Sequence, residues 1–189
     1  MAYESPITVK PDQILFEHYR IIKQLGEGGM GTVYLAENIN LRTQWAIKEI
    51  LVTENKATSL LSEHEILKKL SHHALPRIVN IYPFSDKLYI VMDYLTGQPM
   101  DSYLEKHGKV DEKKGIRWAR QMCDLLGYLH RQKPPIIYRD MKPANLIIDP
   151  DGDIRLVDFG ISQEYSDETS VPRGPIALTK GYAAPEQYE

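Results

Sequence analysis

The stretch Ile136-Ile137-Tyr138-Arg139-Asp140-Met141-Lys142-Pro143-Ala144-Asn145, with Asp158-Phe159-Gly160 behind it, limits this 189-residue chain more than any other part of it. Asn145 to Asp149 reads as a short buried strand. Pro150 to Asp153 reads as a turn with Asp-Gly at its heart, and Ile154 to Asp158 as the returning strand. Folding about that turn sets Asp149 opposite Ile154, and therefore Asn145 opposite Asp158. An amide oxygen and a carboxylate then meet at one end of the hairpin. Such a hard-oxygen pair suits Mg²⁺, which is held by few protein groups together with substrate phosphates. Asp140 and Lys142 are two residues apart and in an extended loop point the same way. The stretch gathers a proton-accepting carboxylate, an ammonium and a metal pair, the equipment of phosphoryl transfer.

The phrase Tyr138 to Asn145 resembles the catalytic loop of the protein kinase family, and Asp158-Phe159-Gly160 resembles that family's metal-binding motif. Tyr138 stands where family members more often carry His, and Tyr occurs there in active members too. The resemblance implies that Asp140 is the base or orienting group for a substrate hydroxyl. It makes Lys142 the group that stabilises charge on the transferring phosphoryl, and Asn145 and Asp158 the Mg²⁺ ligands, with Mn²⁺ as a second choice of ion.

Composition narrows the remaining classes. Hydrophobic residues make up 42% of the chain, enough for a core, and the net charge is −3. No long basic run points to nucleic acid or an anionic membrane surface. The single cysteine, Cys123, rules out a disulfide framework, fits a reducing cytosol and reads as a packed thiol. No apolar run approaches the ~20 residues that span a bilayer, and Met1 to Lys10 lacks a hydrophobic signal core. The expected location is the cytoplasm, with no membrane contact inside this segment and an anchor beyond Glu189 left open.

Residues up to about Glu17 read as a loosely structured lead-in, with Pro6 and Pro11 discouraging regular structure. Tyr19 to Leu25 is a strand pattern, followed by Gly26-Glu27-Gly28-Gly29-Met30-Gly31. Dinucleotide-binding units place a helix directly after such glycines; here Thr32-Val33-Tyr34-Leu35-Ala36 follows, a strand signal. Thr43 to Ile50 gives a third strand. Two strands joined by a glycine flap fit the kinase lid over ATP, because a Cβ would block the approach of backbone N–H groups to phosphate oxygens. Trp45-Ala46-Ile47-Lys48 resembles the family's third-strand motif, whose Lys touches the α- and β-phosphates.

Thr58 to Leu70 reads as a helix with Leu60, Leu67 and Leu70 on one side. Glu63 projects from that apolar side and needs a partner, and Lys48 is the expected one. Glu65 lies roughly 200° round the wheel and faces water. His72-His73 resembles the family's helix-to-strand connector and reads as capping or surface residues rather than metal ligands. Arg77–Ile81 and Leu88–Met92 read as two further strands about a Ser85-Asp86-Lys87 turn. Asp93 to Gly97 resembles the kinase hinge, whose backbone groups at Asp93 and Leu95 meet the adenine edge, with Met92 behind. The resemblance thus sets Leu25, Gly26, Glu27, Gly28, Gly29, Met30, Gly31, Val33, Ala46, Lys48, Glu63, Asp93, Leu95 and Ile147 at nucleotide-binding positions.

Asp101 or Ser102 is expected to cap a short helix ending near Lys106. A longer helix is expected from about Asp111 to Arg131, with Ile116, Ala119, Met122, Leu126 and Leu129 buried and Pro134-Pro135 stopping it. Asp158 to Glu186 resembles an activation segment, ending in the family's Ala184-Pro185-Glu186 motif. Thr179 matches the Thr that contacts the catalytic Asp, and Arg139 offers a site for a loop phosphate at Thr169 or Ser170. The chain stops at Glu189, where family members continue with more helices; the expectation is a truncated domain in which Thr179 is poorly held.

The reading is an α/β (α+β), two-lobed protein kinase fold with a five-stranded N-lobe and an incomplete, mainly helical C-lobe. Its divisions are a lead-in over 1–18, the N-lobe over 19–93 and the partial C-lobe over 94–189. The implied activity is ATP-dependent phosphorylation of Ser/Thr hydroxyls on a protein substrate, since Lys142 two after Asp140 favours Ser/Thr over Tyr. The glycine flap and the Tyr-Ala-Ala-Pro-Glu-Gln ending look most like bacterial members. The alternative is a nucleotide-binding but catalytically incompetent fragment or pseudokinase-like scaffold.

Overall fold

A computed structural model of the chain describes residues 9–28, 31–52, 67–84, 86–157 and 179–185, and the backbone of 163–164. Gly29, Met30, Glu63, Glu65, Asp158, Thr169, Ser170 and Glu186 lie outside the described residues. The chain divides into two compact units, one of residues 1–69 and 77–94, the other of 70–76 and 95–189.

The described residues of the first unit form a six-stranded antiparallel sheet. Its strands are β1 (Ile14–Leu15), β2 (Tyr19–Gly28), β3 (Gly31–Asn38), β4 (Thr43–Leu51), β5 (Ile78–Phe84) and β6 (Lys87–Asp93), in the order β1-β2-β3-β4-β6-β5. Five of these are the expected strands, and β1 is an additional short edge. Alternation along β4 and β6 sorts side chains onto two faces. Ala46, Leu88, Ile90 and Met92 form one buried cluster, with Val33 packed against it. The opposite face carries Tyr19, Ile21, Tyr34, Ala36, Ile47, Tyr89 and Val91.

The described part of the lead-in, Val9 to His18, is ordered, contrary to the sequence expectation. Ile14 and Leu15 pair with Arg20 and Tyr19. The Asp12 N–H donates to the Ile21 carbonyl at 2.8 Å, and the Ile21 N–H to the Gln13 carbonyl at 2.9 Å. Val9 is 6% exposed against the tyrosine-rich face. Phe16 stacks on Tyr82 with ring centroids 3.9 Å apart and meets Tyr89 edge-on at 5.3 Å. These contacts explain why Phe16 tolerates φ of 52°, a left-handed conformation that costs a bulky residue roughly 1–2 kcal/mol. Proline discourages helix here; it does not prevent an extended strap whose apolar residues have a face to cover.

In the second unit Gln98–Pro99 (β7), Leu146–Ile148 (β9) and Ile154–Leu156 (β10) form a three-stranded sheet in the order β10-β9-β7, and Ile136–Ile137 (β8) pairs with Gln163–Glu164 (β11). Helix α1 runs Met100–His107 and α2 runs Glu112–His130. α2 starts close to the expected Asp111, which caps it by accepting from the Lys114 N–H. The first helix starts earlier than the expected Asp101 or Ser102 cap: Pro99 precedes it with no side-chain cap, because β7 delivers the chain directly into the first turn.

The buried stripe of α2 also differs. Trp118, Leu125 and Leu129 are buried, whereas Ile116 is 47% exposed, Ala119 is exposed and Met122 and Leu126 are half-buried. The helix offers two overlapping apolar arcs. The hairpin chooses between them, since the Trp118 indole N–H donates to the Gly152 carbonyl at 3.0 Å and Gln121 accepts from the Ile154 N–H at 3.1 Å.

Candidate active site

The β9–β10 hairpin follows directly on the Asp140–Asn145 loop, and its register departs from the sequence reading by one residue. Ile148 pairs with Ile154 and Leu146 with Leu156. The Val157 N–H donates to the Asn145 carbonyl at 3.0 Å, so Asn145 faces Val157 rather than Asp158. Asp149 belongs to the turn. Its N–H donates to the Asp153 carbonyl, and its Oδ1 accepts from the N–H groups of Asp151 and Asp153. The connection is therefore the three residues Pro150-Asp151-Gly152, with Gly152 at φ 80°, the left-handed residue that closes such loops. Arg155 Nε holds the other carboxylate oxygen of Asp149 at 3.0 Å, and Arg117 and Gln121 both reach Asp153.

Ahead of the hairpin a single 3₁₀ turn, Pro143–Asn145, follows an extended Lys142 (φ −151°, ψ 158°). That geometry brings four predicted residues together. Lys142 Nζ lies 2.7 Å from Asp140 Oδ2 and donates to Thr179 Oγ1 at 2.9 Å. The Thr179 hydroxyl donates to Asp140 Oδ1 at 2.7 Å. Asn145 Nδ2 reaches Asp140 Oδ2 at 3.0 Å, the Asp140 carbonyl at 2.8 Å and the Tyr138 hydroxyl at 3.0 Å. Three acceptors around Nδ2 fix the amide so that Oδ1, its one ligating atom, turns the other way. Thr179 is anchored rather than poorly held: beyond its side-chain bonds, its carbonyl accepts from the N–H groups of Tyr182 and Ala183 at 3.0 Å.

Asp140 is 6% exposed. Burial alone would raise its pKa, but hydrogen bonds from Lys142, Thr179 and Asn145 outweigh it and hold the carboxyl below its ordinary value of 3.8. A carboxylate whose folded pKa is depressed stabilises the fold above the unfolded pKa and loses that contribution as pH falls through the folded one. We expect the melting temperature of the parent to drop more steeply than that of Asp140→Asn as pH is lowered through 3.8 and below. Parallel melting curves for the two proteins would contradict this.

The first unit holds its own predicted residues. Gly28 pairs with Gly31 at the open end of β2–β3. Gly31 has φ 121°, and a Cβ there would lie 1.9 Å from the Glu49 carbonyl oxygen, so only glycine fits. Val33 pairs with Lys48 and Leu35 with Ala46, which puts Val33, Ala46 and Lys48 on one face; Lys48 is 5% exposed. Gly26 pairs with Val33, Leu25 is 40% exposed, and Glu27 accepts from Gln24 Nε2 at 3.1 Å. The Asp93 N–H is given to the Arg77 carbonyl, and its carboxylate takes the Arg77 guanidinium two-pronged at 3.0 Å. In the second unit, Leu95 is half-buried, and Ile147 pairs with Pro99 and Arg155 beside Gly97.

Two groups escaped the sequence reading. Lys87, expected in a turn, begins β6 and pairs with Glu49 at 3.0 Å, both side chains buried; sequence alone gives no sign of which carboxylate lies on the neighbouring strand. Tyr138 brings its hydroxyl to Asn145, which its place in the motif could have suggested. His72, His73 and Asp124 gather their polar atoms within 4.8 Å. The His72 Nδ1 accepts from the Ala74 N–H and its Nε2 lies 3.1 Å from Asp124 Oδ2, so Nε2 carries the proton and cannot ligate. The residue caps the chain, as expected from the sequence. No described helix is long and apolar enough to cross a membrane.

Comparison with known proteins agrees with this geometry. The protein kinase domain family matches residues 19–188. Serine/threonine-protein kinase PrkC of Bacillus subtilis is 31% identical over 176 residues, covering 89% of this chain and 26% of that protein. Serine/threonine-protein kinase cds1 of Schizosaccharomyces pombe is 34% identical over 177 residues, covering 89% of the chain and 38% of the relative. Serine/threonine-protein kinase akt-1 of Caenorhabditis elegans is 32% identical over 186 residues, covering 94% and 33% respectively. The chain thus spans well under half the length of these relatives, and their similar identities do not single out bacteria.

Proposed function

The chain belongs to the protein kinase domain family, and on that premise we propose that it transfers the γ-phosphoryl group of ATP to Ser or Thr hydroxyls of a protein substrate. The observation that carries the reading is the closed network of Asp140, Lys142, Thr179 and Asn145. Thr179 and Lys142 occupy Asp140 from two sides, which leaves the carboxylate oriented and ionised at neutral pH. A carboxylate held below its ordinary pKa is a weak base. Its main task is to align the incoming hydroxyl by accepting its hydrogen bond, taking the proton late, as the new P–O bond forms and the bond to ADP breaks. Lys142 offsets charge on the equatorial oxygens of the phosphoryl group, and Lys48 positions the α- and β-phosphates beneath the glycine turn.

Asn145 Oδ1 fits a hard cation, and Asp158 is its proposed companion ligand. Bound Mg²⁺ supplies neutralisation of the phosphate charge. The backbone of Asp93 and Leu95 is proposed to read adenine, with Leu25, Glu27, Gly29, Met30, Val33, Ala46 and Ile147 around the nucleotide and Glu63 aligning Lys48. On this reading residues 19–93 and 94–189 are the two lobes, and the domain works in the cytoplasm. The glycine turn and the Tyr182-Ala183-Ala184-Pro185-Glu186-Gln187 ending support a bacterial type. Incubation with γ-labelled ATP, Mg²⁺ and a basic model substrate, followed by phosphoamino-acid analysis, tests the proposal. Labelled phosphoserine or phosphothreonine is expected; nucleotide binding without transfer would favour the scaffold alternative and sink this one.

A further inference from the structure

Glu49 and Lys87 are buried charges on a face that is otherwise aromatic and aliphatic. They are 6% and 9% exposed, with Lys87 Nζ 3.0 Å from Glu49 Oε1. Their neighbours on that face include Tyr34, Ile47, Tyr89 and Val91. Burial first, then the Glu49 carboxylate, raises the pKa of the Tyr34 and Tyr89 hydroxyls, so both stay protonated beside the pair. A buried ion pair adds little net stability over well-packed apolar residues, but it is directional.

The backbone of the same residue supports the phosphate-binding turn. Glu49 pairs with Thr32 on β3 and with Tyr89 on β6. Gly31 sits directly over the Glu49 main chain, where a Cβ would be 1.9 Å from its carbonyl oxygen and 2.9 Å from its carbonyl carbon. Lys48, one residue earlier, projects from the opposite face. Glu49 therefore touches the glycine turn through its carbonyl, β6 through its carboxylate, and Lys48 through the chain itself.

We propose that the Glu49–Lys87 pair is a positioning device: from the covered face of the sheet it fixes β4 at the point where the glycine turn rests and Lys48 emerges. The inference depends on the reading that this turn and Lys48 hold ATP phosphates. Glu49 and Lys87 touch no substrate; they act through β4.

The test uses the double variant Glu49→Leu/Lys87→Met, because removing either charge alone strands the other in the interior and endangers folding. Apolar side chains of similar size restore packing but not direction, so the variant is expected to melt at or above the parent. Amide exchange on the nucleotide-free protein is the first readout. Peptides covering Thr32 to Ala36 are expected to exchange about tenfold faster than in the parent, while those from α2 are unchanged. Steady-state kinetics are the second: the KM for ATP is expected to rise about tenfold with kcat within about twofold of the parent. Parent-like protection of Thr32 to Ala36, or acceleration spread equally over both units, would show that the pair only packs the sheet and would overturn the proposal. An unchanged KM in an active protein would do the same. If the parent itself neither binds nor turns over ATP, the proposed function fails, and the exchange experiment alone still decides the positioning role.

Discussion

Replacing Asp140 with asparagine is expected to lower phosphoryl transfer by about 10²–10⁴-fold, the range for loss of a positioned acid–base group, while leaving nucleotide affinity close to that of the parent. The size of the effect follows from the network. Asp140 Oδ1 takes the Thr179 hydroxyl and Oδ2 takes both Lys142 and Asn145. Every partner is a donor. An asparagine side chain keeps the shape but turns one end into a donor, which must face Lys142 and Asn145 or else Thr179. The amide can neither orient an incoming hydroxyl as an ionised carboxylate does nor keep Lys142 in place by charge. Measurement of turnover with γ-labelled ATP, alongside a melting curve and binding of a fluorescent nucleotide, separates the cases. Turnover within tenfold of the parent would remove Asp140 from the mechanism.

Lys48→Met is expected to cost on the order of 10²-fold or more in turnover, equivalent to about 3 kcal/mol of transition-state stabilisation. The methionine stem is close in length to that of lysine. It would join Val33, Ala46, Ile90 and Met92, which share its face of the sheet, so the melting temperature is expected to hold. Loss of phosphate positioning with the fold retained is the signature. A variant with parental turnover would mean that β4 presents its lysine to something other than ATP.

Much of this was legible because the local signals agree with each other. The glycine run between two β-branched, aromatic segments specifies β2 and β3, and Asp111 marks the start of α2. Asp140 and Lys142 meet because an extended Lys142 needs no long-range information, whereas Thr179, 37 residues beyond Lys142, was legible only from its place in the family motif. The misreadings come from side-chain partners that pattern alone does not reveal, some within the same loop and some distant in sequence. Two turns, four residues or three, fit Pro150 to Asp153 equally well. The bonds of Asp149 to its own loop and to Arg155 select the shorter one, and that choice moves Asn145 from Asp158 to Val157. Trp118 rather than Ile116 is buried in α2 because the hairpin accepts an indole N–H. Lys87 resembles a turn residue until Glu49 is placed across the sheet from it.

The ordered lead-in sets the fold's own boundary apart from the family's. The match to the family opens at Tyr19, yet among the described residues Val9 and Phe16 already cover the sheet. A protein trimmed to the homologous segment would keep every motif residue and still lose the strap over Tyr34, Tyr82 and Tyr89. Those rings would then form a contiguous aromatic patch facing water, a surface that seeks another covering and invites self-association. Boundaries taken from alignment would thus give a protein with Asp140, Lys142 and Asn145 intact and poor colloidal behaviour, for a reason that lies up to ten residues upstream of the family match.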